Sequence, residues 1–177
     1  MVGNWERPRP GGGSHGGSGP RSGHGGGAGG NQQAEDRGQI NDLLRPPKEP
    51  LRYFSAKDPK AVDPRLLGEE AEQVARKLAT VPASQLRRFY AEVMALKRRA
   101  ELPEVSDEAI RAELMLLRAK AAYTWQRQNK YPGELVAFFT RHAASVKTKY
   151  DFLRGFQPHF EAVMAFHKVF EKKGATA

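Results

Sequence analysis

The sequence predicts an all-α protein: a compact bundle of about five helices with a disordered Gly-rich N-terminal tail. Three observations carry this. Beyond about Asp63 the chain is dominated by Ala, Leu, Glu, Lys and Arg, and no segment alternates in the way a half-buried strand must. Its apolar residues recur at helical spacing between prolines and capping residues. Of the 18 glycines, 14 fall before residue 39.

A glycine-rich segment buries too little apolar surface to offset a backbone entropy of roughly 1–2 kcal/mol per residue. Residues 1 to about 40 are therefore expected to be disordered, and the domain division is 1–50 for tail and linker and 51–177 for the bundle. The stretch through Pro46, Pro47, Pro50, Pro59 and Pro64 is expected to be extended or irregular. Its Leu43, Leu44, Leu51, Tyr53 and Phe54 can pin it loosely to the body. His15 and His24 sit in too much glycine to read as a metal tract. Arg7, Arg9 and Arg21 are too few to make an arginine–glycine RNA-binding segment.

The first helix is expected from Asp63-Pro64, or a turn later near Gly68, to about Ala79, with Asp63 as cap and Pro64 at the first helical position. The second lies between Pro82 or Ser84 and about Leu102, with Ser84 a candidate cap. The third runs from Ser106 or Asp107 to about Asn129, its seam formed by Ile110, Leu114, Leu117 and Ala121. A fourth covers roughly Pro132 to Ser145. The last spans roughly Lys149 to Lys172, where Pro158 must either kink the helix or mark its effective start. Short connections favour antiparallel neighbours.

Lys plus Arg is 29 against 20 for Asp plus Glu, a formal charge of +9, which directs the chain towards polyanions. The absence of Cys excludes disulfides, thiolate nucleophiles and Cys-ligated metals. No apolar run approaches the roughly 18–20 residues of a membrane span, and glycines follow the start where a secretory signal needs an apolar region. A cytoplasmic location without membrane contact is expected.

On the second helix Arg87, Arg88, Arg98 and Arg99 lie opposite Leu86, Phe89, Tyr90, Val93, Met94 and Leu96, and positions eleven apart nearly superimpose. Few acidic residues intersperse: Glu92 is near Arg88 and Arg99, and nothing balances the rest. On the third helix Lys120, Tyr123 and Arg127 share a face. A phenol between two cations suits an unpaired base and its phosphates, although Tyr123 can equally pack into the bundle. Lys147 and Lys149 form a small positive loop close to Arg154. Trp125, Phe138 and Phe139 read as core or subunit interface. No catalytic residue, cofactor or metal is expected. His159 and Glu161 point to different sides of a helix, His159 and His167 are about 12 Å apart along it, and no nucleotide or metalloprotease motif occurs. A ribonuclease assembled from His142, His159 or His167 is the weaker alternative.

The segment Phe160-Glu-Ala-Val-Met-Ala-Phe-His-Lys168 resembles the C-terminal signature of the small helical subunit of the type III-A CRISPR effector, the Csm complex. Ser84-Gln-Leu-Arg-Arg-Phe-Tyr90 is similar to a second motif of that family. Leu116-Leu-Arg-Ala-Lys-Ala-Ala-Tyr123, with Arg127 four residues on, is similar to a third. The resemblance spans about residues 68–172, with Pro158 and Ala121 as departures. It implies a non-catalytic subunit that stacks with further copies of itself along the guide RNA. Such a subunit touches the target RNA backbone and meets the backbone and large subunits of the complex. It implies RNA contacts by Arg87, Arg88, Lys120 and Arg127, and fold or inter-subunit roles for Phe160, Glu161, Ala162, Phe166 and His167, Glu161 pairing with a bundle cation. Backbone contact fits a protein that serves any target, because guide pairing reads the letters. The alternative is a scaffold subunit whose basic faces meet acidic partner subunits.

Overall fold

A computed structural model describes residues 38–128 and 132–171. Residues 1–37, with His15, His24 and the three tail arginines, lie outside the described residues, as do the expected ends at Asn129 and Lys172. The described residues form a helical turn at 38–43, an isolated antiparallel bridge between Phe54 and Val62, and five longer helices. These are α1 (64–77), α2 (Ala83–Ala100), α3 (Asp107–Gln128), α4 (Glu134–Ser145) and α5 (149–170).

Each boundary has a local cause. Asp63 caps α1, its carboxylate accepting the Arg65 amide at 3.0 Å. The α1 helix opens as a π turn, Leu66–Glu70, and continues α-helically over Ala71–Lys77. Ser84 does not cap α2. The helix begins one residue earlier, after Pro82, and Glu171 from the far end of α5 accepts the Ala83 amide at 3.3 Å. Burial raises the Glu171 carboxyl, but that amide and Lys168 outweigh it and leave the pKa lowered. Ser106 does cap α3, accepting the Ala109 amide at 3.1 Å.

Pro158 neither starts α5 nor simply kinks it. The helix passes through in π form, Asp151–Phe156, immediately upstream, before resuming as Gln157–Phe170. The proline can donate no amide to the ladder, and the widened turn carries the change in hydrogen-bond register ahead of it.

The most extensive packing joins α1 to α5 and α3 to α4, with α2 laid against α5 and α3. The centre is aromatic: Phe138, Phe139, Phe152, Phe156 and Phe160 are fully buried. Phe160 lies 5.3 Å from Phe138 and 5.7 Å from Phe139 between ring centroids. Trp125 also belongs to this core. Rings of this size contribute more per residue than aliphatics, and they fill the junction of α4 and α5.

The segment before α1 is attached by specific bonds. Tyr53 is buried with its hydroxyl 2.8 Å from His142 Nδ1, and the Leu51 amide donates to Ser145 Oγ at 2.8 Å. Arg118 donates to the Leu44 carbonyl at 2.6 Å. Two glycines accept this arm. A Cβ on Gly155 would stand 2.3 Å from Tyr53 Cγ, and one on Gly133 would stand 2.5 Å from Leu43 Cδ1. The boundary at residue 50 thus falls within a segment whose contacts lie on both sides of it.

Candidate nucleic-acid interface

The outward faces of α2 and α3 meet in a groove of about 210 Å³ lined by Gln85, Arg88, Phe89, Glu92, Lys120, Tyr123, Thr124 and Arg127. The α2 side is set by Leu86, Phe89, Val93 and Leu96, which turn inward and are buried, leaving Arg88 outside. The α3 side is set by Ile110, Leu114, Leu117, Ala121 and Trp125, the expected seam extended by one turn. Those residues bring Lys120, Tyr123 and Arg127 to the surface on successive turns. Tyr123 is 64% exposed, so of the two orientations its sequence position allows, the structure takes the open one.

Arg88 and Arg127 are exposed and have no ion pair with a described residue. Lys120 instead spans the groove to Glu92. Glu92 lines the groove with Arg88, one turn away on α2, but forms its ion pair across to Lys120, because helix packing sets which side chains face each other. For the same reason Arg99 is balanced by Glu113 of α3 at 2.6 Å, a counter-charge that the order of residues along α2 does not reveal. Such exposed pairs are worth up to about 1 kcal/mol each, and an incoming polyanion can exchange for the carboxylate.

The remaining cations lie outside the groove. Arg87 is exposed and donates to the Ala83 carbonyl of its own helix at 3.2 Å. Arg98 and Arg99 lie three turns along α2, about 16 Å from Arg87 and Arg88. Lys147 and Lys149 each donate through Nζ to backbone carbonyls, those of Ala144 at 2.7 Å and Leu102 at 3.0 Å. These ammonium groups satisfy chain ends near α4 and α2 and do not join the groove. Gln85 and Thr124 line the groove without having been singled out in the sequence, and Phe89, expected on the inward face of α2, forms part of its floor. Gln85 and Thr124 each lie three residues before a groove cation, a spacing that could have found them.

The histidines come together in a way that their spacing along α5 does not show. His142 and His159, on different helices, stack edge to face with centroids 5.1 Å apart, and both have no exposed surface. Burial, then His159 and then Arg141 push the His142 pKa down, and burial followed by Arg141 lowers that of His159 to about 4. Imidazoles so enclosed touch no solute in this conformation. His167 is buried elsewhere, its Nε2 3.1 Å from the Leu78 carbonyl and 3.0 Å from that of Val81, where it closes the end of α1. Glu161 pairs with no bundle cation among the described residues. It accepts from Gln157 at 2.8 Å and lies beside the Tyr90 hydroxyl, whose pKa is raised by burial and then by that carboxylate. Among the described residues no group of three or more His, Asp or Glu is placed to hold a metal ion.

The groove, the arginine rows and the α1–α5 closure all fall within one stretch of chain, and the family model described as Csm2 Type III-A matches residues 61–173. The chain belongs to the Csm2 type III-A family. It is a small subunit of the type III-A CRISPR Csm effector complex, with the other Csm subunits as its assembly partners. Comparison with curated proteins and with solved structures finds no match. The three Csm2-like motifs occupy distinct positions. The motifs on α2 and α3 line the groove, through Arg88 on the one and through Lys120 and Tyr123 on the other. The C-terminal motif places Phe160, Val163 and His167 on the buried face of α5. None of the described helices is long and apolar enough to cross a membrane.

Proposed function

We propose that this Csm2-family subunit is a non-catalytic RNA-binding protein that lies along the paired guide and target RNA and grips the target backbone through the α2–α3 groove. The observation that carries this is the convergence of Arg88, Lys120, Tyr123 and Arg127 from two helices on one open groove. Arg88 and Arg127 serve as phosphate contacts, Lys120 joins them on release from Glu92, and Tyr123 offers its ring to a base. Arg87, Arg98 and Arg99 extend the positive surface along α2. Lys147 and Lys149 add charge at the helix ends from their capped positions. Recognition is independent of sequence, because these groups address charge and shape.

The test is fluorescence anisotropy with a labelled single-stranded RNA across a salt series. The double reversal Arg88→Glu and Arg127→Glu is expected to weaken binding. It should also flatten the plot of log K against log salt by about 0.7 for each phosphate the protein no longer neutralises. Helical circular dichroism should persist, since both side chains are exposed. Unchanged affinity and slope would refute the groove.

A second reading rests on exposed apolar residues of α3, of which Leu116 continues the face of Lys120, Tyr123 and Arg127 towards the start of the helix. Met115 and Leu116 are 45% and 54% exposed, on the turns before Tyr123, so the helix is apolar outside as well as inside. This row suits contact with another subunit, including a further copy of the chain stacked along the filament. A pulldown of the other Csm subunits that survives nuclease but fails with Met115→Lys and Leu116→Lys supports it. Loss on nuclease treatment alone counts against it.

A further inference from the structure

A second concavity, unrelated to the groove, lies where the 38–47 arm crosses α3 and α4. It is an open cleft of about 710 Å³, within the range of about 300–1,000 Å³ for small-molecule sites. Leu43 and Pro47 of the arm form one wall, and Trp125 and Ala137 form the other. Thr140 and Arg141 supply the polar end. Nε and Nη2 of Arg141 are buried and have no hydrogen-bond partner, and no described carboxylate pairs with it. Those two nitrogens are closed off from the cavity, but a lining arginine without a carboxylate partner leaves its polar end positive and favours an anionic occupant.

The charge at this end is double. Arg118 sits behind Thr140, donating to its hydroxyl at 3.4 Å and to the Leu44 carbonyl at 2.6 Å, again with no described carboxylate as partner. Asp42, the acidic residue at the cavity, is exposed and turned to Arg45 at 3.5 Å. Arg141 lines this end of the cavity and Arg118 adds its charge from behind Thr140, so the end is positive with no described carboxylate pairing either arginine, which suits a phosphate. The opposite walls are apolar and carry an indole, which suits a flat ring.

We propose that this cavity binds a small organic phosphate with a flat aromatic body, of the size and chemistry of a nucleoside monophosphate. The phosphate meets Arg141 and the Thr140 hydroxyl, and the ring lies between Trp125 and the arm. Because Arg118 also holds Leu44, occupancy fastens the arm to the bundle.

Isothermal titration calorimetry of the full chain with AMP, adenosine and inorganic phosphate tests this. AMP is expected to bind at least about tenfold more tightly than either part alone. Arg141→Gln should cost at least about tenfold in AMP affinity. Ala137→Phe, which fills the cavity without touching a charge, should do the same and keeps the test valid if Arg141→Gln does not fold. The groove reversal Arg88→Glu with Arg127→Glu should leave AMP affinity unchanged. AMP bound no better than inorganic phosphate, binding indifferent to both cavity variants, or binding abolished by the groove reversal would each overturn the assignment.

Discussion

Acidification probes the buried histidines directly. His159 has no exposed surface, and neither ring nitrogen has a hydrogen-bond partner. Its ring meets Phe138 and His142 edge-on, at 5.6 and 5.1 Å between centroids. Burial, with Arg141 second, lowers its pKa from 6.5 to about 4. Between those values the unfolded chain takes up a proton that the folded chain refuses. Stability therefore falls as pH drops, by the linkage between proton binding and folding. The contribution of neutral His159 is complete above about pH 6.5, is lost progressively towards about pH 4, and changes little below that. A displacement of about 2.5 on the pH scale, at about 1.36 kcal/mol each, comes to about 3 kcal/mol. His142, pushed in the same direction by burial, then His159 and Arg141, adds to the slope. Urea denaturation between about pH 7.5 and pH 4.5 reads this as a falling midpoint. His159→Phe replaces the ring with one that cannot take a proton, among other aromatics, and should remove most of its share of the slope. A wild-type midpoint independent of pH, or a His159→Phe protein with the full slope, would refute the reasoning.

Further expectations follow from the arm and the helix surfaces. Gly155→Ala should cost about 1–3 kcal/mol by overpacking, read as a lower urea midpoint, because the new Cβ meets the Tyr53 ring. Tyr53→Phe leaves His142 Nδ1 buried without its partner and should cost about 1–3 kcal/mol on the same assay. Arg118→Met should release the Leu44 carbonyl and speed tryptic cleavage after Lys48, with little change in helical circular dichroism. Arg99→Ala should change stability by about 1 kcal/mol or less in thermal melts, since its pair with Glu113 is open to solvent.

The helices were legible because each one's signals are local. Asp63 and Ser106 cap where they stand, and Leu86, Phe89, Val93 and Leu96 turn inward at the spacing their order dictates. Ser84 misled because the amide at the start of α2 is taken by Glu171, 88 residues from Ala83 in the chain. The π turns around Gly68 and ahead of Pro158 were illegible for a related reason: a widened turn is a response to packing and to a missing amide. In the groove, Arg88, Lys120, Tyr123 and Arg127 were visible as faces of single helices. The pairing of Lys120 with Glu92 was not, because it depends on how α2 lies against α3.

By itself the sequence determined an all-helical body with a basic exterior and the motifs of a Csm small subunit, since propensity, periodicity and charge are carried by neighbours in the chain. Only the tertiary structure decided which cations are balanced, which histidines meet, and how tightly the arm at Leu44, Leu51 and Tyr53 is bound. Those outcomes depend on contacts between residues 14 to 94 apart, such as Arg99 with Glu113 and the Leu51 amide with Ser145. Desolvation acts on the same scale: it is imposed by whatever packs from elsewhere, so His159 became a neutral core residue and Tyr123 an open ring.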